Sequence, residues 1–254
     1  MTKNLHKKLI IFLTSMYGCM WCGIAFSGED AAISSQLPSV FVSSDAGYTT
    51  YQSGVVDSND ASFTVRYTLG VMGGTDKRFS MTLEGSPSLV KFRLNKTTVR
   101  YNWQDILFRA RWKYFYGGLL LSINRYKSEI DEEAAAEENV DVAKAYDVNA
   151  LRSGYGINIG LVIPYGKPGF FYLDAFYHTT AESLNLYENG EVTIGPRTQV
   201  DFGTRLHAIA NTLDVIWGYR VMTISFNIEE TGAEKETRKE TLSTPYAGLL
   251  LILN

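Results

Sequence analysis

The chain has 254 residues, 24 lysines and arginines against 27 aspartates and glutamates, and only two cysteines. This slightly acidic balance, a formal charge of −3, argues against a general nucleic-acid binder. No internal shift in composition marks a second large domain.

Residues 1–27 are predicted to be a signal peptide. Lys3, Lys7 and Lys8 precede an uncharged run from Leu9 to Gly28, and Ala25-Phe26-Ser27 supplies small residues for cleavage. The run is close to the ~20 residues that span a bilayer as a helix, so a retained anchor is the alternative. Its Thr, Ser and Gly residues and its small-residue end favour the signal. Cleavage would remove Cys19 and Cys22, leaving no disulfide, no thiolate metal site and no cysteine nucleophile. It would also remove three lysines and no acids, making the remaining chain more acidic.

Residues 28–58 are polar and irregular and read as an N-terminal arm, with one strand candidate at Gly47 to Gln52. Residues 59–254 read as a single barrel domain. In Ser62 to Met72, Phe63, Val65, Tyr67, Leu69 and Val71 alternate with Ser62, Thr64, Arg66, Thr68 and Gly70, which is the period of a strand. Phe79, Met81 and Leu83 repeat this pattern. The parity shared by Val90, Phe92 and Leu94 is broken by Val99, Tyr101 and Trp103, so a bulge or an extra turn is expected near Asn95-Lys96. From Ile106 to Tyr116, Phe108, Ala110, Trp112 and Tyr114 oppose Arg109, Arg111 and Lys113. The expected strands are 60–72, 77–85, 88–101, 104–116, 118–128, 151–163, 169–187, 192–210, 213–227 and 244–254, about ten, with twelve as the alternative.

Turns carry these faces from strand to strand. A turn at Gly117-Gly118 would pair Trp112 with Ile123, and one at Asn211-Thr212 would pair Leu206 with Trp217. A connection over Pro164 to Pro168 would pair Leu161 with Phe171. Asn189-Gly190 tolerates the positive φ of a tight hairpin and would set Asp174 against Arg205, His178 against Asp201 and Glu182 against Arg197. Short connections then alternate with long or projecting ones at 129–150, 189–190 and 228–243, as in barrels with short periplasmic turns and long outward loops. Tyr116, Tyr165, Phe170, Tyr219 and Tyr246 stand near strand ends, where aromatic girdles form.

With these features the chain resembles bacterial outer-membrane β-barrel proteins, small porin-like barrels of Gram-negative envelopes, without matching a particular subfamily. The resemblance implies an all-β, antiparallel, up-and-down transmembrane barrel in the outer membrane, in contact with lipid and lipopolysaccharide. One departure is the end of the last strand, Leu249-Leu250-Leu251-Ile252-Leu253-Asn254, where such proteins commonly finish in an aromatic residue.

If the apolar rows face lipid, the lumen carries Arg66, Arg78, Arg93, Arg109, Arg111, Lys113, Arg205 and Arg220 with Asp174 among the acids, and is expected to be net basic. About eight to ten strands leave an interior that side chains can fill. The expected function is a closed envelope protein, structural or ligand-binding through its extracellular loops. A wider lumen would be an anion-preferring pore. His178 and Asp201, adjacent in the expected register, are the weak catalytic candidates of a rim hydrolase, although a second acidic pair of the omptin kind cannot be assigned. A soluble secreted barrel that binds ligand inside is the remaining alternative. The residues imply no metal and no cofactor. The acids of 129–150, among them Glu129, Asp131, Glu132 and Glu133, read as a solvated loop, with divalent-cation or lipopolysaccharide bridging as the minor reading.

Overall fold

The computed structural model describes residues 39–53, 59–73, 79–85, 90–94, 97–130, 148–166, 169–180, 190–209, 212–230 and 236–253. The predicted signal peptide therefore lies outside the described residues, as do residues 131–147 and 181–189, within which most of the expected loop 129–150 and part of the expected 189–190 hairpin tip fall. The described elements are strands: β1 (Ser39–Ser53), β2 (Asn59–Gly73), β3 (Phe79–Gly85), β4 (Val90–Leu94), β5 (Thr97–Trp112), β6 (Phe115–Ile130), β7 (Val148–Pro164), β8 (Gly169–Thr180), β9 (Gly190–Ile209), β10 (Leu213–Glu230) and β11 (Glu236–Leu253).

Each strand pairs antiparallel with its neighbours, β1 pairs with β11, and β3 with β5, so the sheet closes into a barrel. β3 and β4 both lie along β5, at Gln104 to Ala110 and Thr97 to Tyr101 respectively. Together they form one interrupted stave, and the eleven strands make ten barrel positions. The parity break expected near Asn95-Lys96 is the reversal between β4 and β5, where Leu94 pairs with Thr97. β5 is then continuous through residues 101–104, which the sequence reading divides between two strands.

The barrel also extends further toward the N-terminus than expected. β1 places Ser39–Ser53 in the wall, paired along its length with β2 and β11, so this part of the expected arm 28–58 is a barrel strand, while residues 28–38 and 54–58 lie outside the described residues. Its outward row includes Ser44 and Ala46, which leaves little apolar contrast to reveal a period of two. The predicted loop 228–243 is likewise mostly strand, in β10 and β11. Its charged residues continue a ladder, because backbone pairing does not require apolar side chains beyond the lipid band.

The outward face is apolar. Val42, Leu69, Leu119, Ile157, Ile159, Leu173, Val200, Leu249 and Leu251 are exposed on it. At the short-turn end it carries Trp112, Tyr114, Phe115, Phe171 and Trp217, and nearer the other end Tyr48, Phe63, Tyr155 and Tyr177. Two aromatic belts flanking an aliphatic band are the signature of a barrel wall in lipid. The girdle assignment is partly corrected: Tyr165 and Tyr219 belong to the outer surface, whereas Tyr246 is buried inside and Tyr116 and Phe170 line an interior cavity.

Faces are as expected, but pairings slide by even numbers of residues. Leu161 pairs with Leu173 rather than Phe171, and Leu206 with Val215 rather than Trp217. Trp112 pairs with Phe115, because the β5–β6 turn is Lys113-Tyr114 and not Gly117-Gly118. Lys113 takes φ 55° there. Gly118 is a strand residue whose absent Cβ would lie 1.8 Å from the Phe108 carbonyl oxygen. Its glycine answers to close strand approach rather than to a turn.

Candidate functional site

The lumen is crossed by charged layers. Arg66 on β2 donates through Nε to Asp45 of neighbouring β1 at 2.7 Å and through Nη1 to Asp201 of β9 at 3.3 Å. Arg220 on β10 donates to the same Asp201 at 3.0 Å and to Asp45 at 3.5 Å. Tyr246 of β11 donates its hydroxyl to Asp201 and meets the Tyr172 hydroxyl of β8. The Arg220 guanidinium stacks 4.5 Å from the Tyr246 ring centroid. Because β2 and β9 stand four positions apart around the ring, this layer bridges the lumen rather than lining one wall.

A second layer lies toward the long-loop end. Arg197 of β9 donates through Nη2 to Asp105 of β5 at 2.6 Å and through Nη1 to Asn124 of β6 at 2.9 Å. Tyr101 donates to Asn124 at 2.7 Å and Ser122 to Asp105. The Arg197 guanidinium also sits 5.6 Å from the Trp103 ring centroid. Below, Arg109 donates to Asn158 at 2.8 Å and Asp174 at 3.0 Å, and Asn158 donates to the same aspartate. Leu107, Leu120 and Phe176 form a buried apolar cluster that fills more of the interior. Nearest the short turns, fully buried Asp214 accepts from Arg205 and contacts His207 Nδ1 at 2.7 Å.

These contacts redistribute the expected site residues. Arg66, Arg109, Arg205, Arg220 and Asp174 point inward. Arg111 is exposed at the cavity mouth, with its Nε on the Lys113 carbonyl at 2.9 Å. Lys113 belongs to the turn instead of the lumen, since β5 ends at Trp112. Arg93 lies on β4 opposite Thr98, and Arg78 lies outside the described residues. The basic residues of the interior meet acids in the ion pairs among the described residues. Arg66, Arg109, Arg197, Arg205 and Arg220 are ion-paired with Asp45, Asp105, Asp174, Asp201 and Asp214, five against five. Asp45 was hidden by the faint first strand. Asp105 shares its parity with Arg109 and Arg111 and was findable on that ground.

The rim dyad is not assembled. The β8–β9 ladder sets His178 opposite Arg197 and Asp174 opposite Asp201, with Phe170 opposite Arg205. His178 is 1% exposed, and Asp201 is held by two arginines and a tyrosine. His207 is hydrogen-bonded to Asp214 and packs against Phe170. No group of acids, histidines and cysteines suited to a metal occurs among the described residues.

A cavity of about 260 Å³ occupies the short-turn end, lined by charged and apolar side chains that include Arg111, Arg205, Phe41, Phe170, Ile216 and Leu250. A smaller one, about 30 Å³, lies beyond the Arg66–Arg220 layer.

No family model and no curated protein matches the chain. Among solved structures, the chain is similar to the outer membrane protease OmpT from Escherichia coli, with 10% identity over 89% of this chain and 100% of that one, TM-score 0.45. It is similar to the translocator domain of the autotransporter NalP from Neisseria meningitidis, with 12% identity over 96% and 97%, TM-score 0.40. Neisserial surface protein A matches with 10% identity over 84% and 96%, TM-score 0.36. An apolar, doubly girdled exterior around an ion-paired interior defines the chain as a ten-stave antiparallel β-barrel whose wall is built to face lipid.

Proposed function

We propose that the protein is a closed outer-membrane barrel, a structural and binding component of the envelope whose outward connections meet lipopolysaccharide or an extracellular ligand. The observation that carries this reading is the layer in which Arg66 and Arg220 converge on Asp201 and Asp45 with Tyr246 and Tyr172. Opposite charges that hold each other across the lumen resist displacement by a passing ion, because each separation would leave a charge desolvated without its partner. A pore would need a continuous water path with charges of one sign available to the solute. In this interior each ion-paired arginine has an aspartate partner.

Planar-bilayer recording tests the reading. The wild-type barrel is expected to give no steady conductance, and the Arg66→Ala/Arg220→Ala double variant to give one. A steady open channel in the wild type would overturn it. For the binding role, replacing residues 131–147 by a short Gly/Ser connection should leave folding intact while lowering co-purifying lipopolysaccharide; unchanged lipopolysaccharide would count against that part.

A further inference from the structure

We propose that the cavity at the short-turn end binds a small organic monoanion, a carboxylate carried on a single ring or a short alkyl body. The site is independent of the outward connections and faces the side on which the short turns lie.

Two guanidinium groups line this cavity with donors unspent. Arg205 uses Nε on Asp214, and among the described residues its terminal nitrogens make no hydrogen bond. Arg111 uses Nε on the Lys113 carbonyl, and it has neither a carboxylate partner nor a bond from its terminal nitrogens among the described residues. A guanidinium fork is shaped to take a carboxylate in two parallel hydrogen bonds. The other charged lining residues are engaged: Arg66 with Asp45 and Asp201, and Arg109 with Asp174. Arg205 is balanced by Asp214. The surplus around the cavity is therefore one positive charge, that of Arg111, which matches one negative charge on a ligand.

The body of the ligand is set by the remaining wall. Phe41, Phe170, Ile216 and Leu250 present apolar surface into the same space, and Arg205 lies over the Phe170 ring at 5.3 Å. A volume of about 260 Å³ exceeds the roughly 150 Å³ that suffices to hold benzene. It falls below the roughly 300 Å³ at which sites for drug-sized ligands begin. An inorganic anion would leave the apolar wall wet, and a neutral ring would leave both forks unmet.

The test uses the purified, detergent-solubilised barrel and fluorine NMR of 4-fluorobenzoate, with 4-fluorobenzyl alcohol as the neutral analogue and acetate as the charge without the body. Saturable binding of 4-fluorobenzoate is expected, weakened about tenfold in Arg111→Gln, with the alcohol and acetate both weaker than the benzoate. Ile216→Trp, which fills the cavity and leaves the charges in place, should abolish binding. Heat-modifiable gel mobility confirms that each variant is folded. The proposal is overturned by absence of saturable binding to the wild type, by equal affinity in either folded variant, or by an alcohol that binds as tightly as the benzoate.

Discussion

Arg197 and Asp105 meet across the barrel, Nη2 to Oδ2 at 2.6 Å, with side chains only 2% and 3% exposed. They come from β9 and β5, four positions apart around the ring, so the pair ties opposite walls together. Removing one partner leaves the other charged and desolvated, at a cost of about 3–5 kcal/mol. Arg197→Met and Asp105→Leu are each expected to lower the urea midpoint of unfolding strongly. The double variant should recover a large part of the loss, since no buried charge is then unpaired. Equal or additive losses in the double variant would show that the pair is not coupled.

Ile159 tests which medium the outer wall touches. It lies on β7 between the Tyr155 belt and the Ile163–Tyr165 end, and is 63% exposed. Ile159→Arg should destabilise the barrel folded in lipid vesicles by about 2–4 kcal/mol, the cost of arginine near the bilayer midplane. A residue facing water would tolerate the same change with almost no effect. An unchanged unfolding midpoint in vesicles would mean that this face does not meet hydrocarbon.

The β5–β6 turn offers a backbone test. Lys113 holds φ 55°, a region that costs a residue with a side chain about 1–2 kcal/mol and is worst for β-branched types. Lys113→Gly is expected to be close to neutral, relief of that cost being offset by about 0.5–1 kcal/mol of unfolded-chain entropy. Lys113→Val should destabilise by about 1 kcal/mol or more. Equal midpoints for the Gly and Val variants would contradict the left-handed turn.

The side of the wall taken by the alternating rows was legible, apart from aromatic residues near strand ends such as Tyr246 and Phe170, and the partner each residue meets was not. Trp112, Ile159 and Trp217 face outward and Arg109, Arg205 and Arg220 inward, as their alternation requires. Alternation is unchanged by sliding a strand two residues, so it fixes parity and leaves register open. The turn must supply the register, and here its chemistry misleads. Gly117-Gly118 looks like a reversal but lies within a strand, while Lys113-Tyr114, with no glycine, makes the turn. An even slide between β8 and β9 also moves His178 from Asp201 to Arg197, so the only catalytic candidate dissolves while every face stays correct. Cross-lumen partners such as Arg197 and Asp105 are farther beyond reach, because they depend on barrel closure rather than on adjacent strands.

Phe41 and Gly70 show how local packing shapes the cavity wall. They are direct cross-strand partners on β1 and β2, and a Cβ added at Gly70 would lie 2.2 Å from Phe41 Cζ. The ring thus lies over the glycine, covering backbone that would otherwise be bare. Gly70→Ala should push the ring away from β2, and since Phe41 lines the short-turn cavity, the displaced ring takes up space inside it. The expected results are a modest loss of stability, about 1–3 kcal/mol as for other overpacked sites, and a reduced affinity for 4-fluorobenzoate. Phe41→Ala in the same background removes the clash and should restore access to the cavity, at the cost of the ring's own packing. An affinity in Gly70→Ala equal to that of the wild type would show that the ring does not move into the cavity.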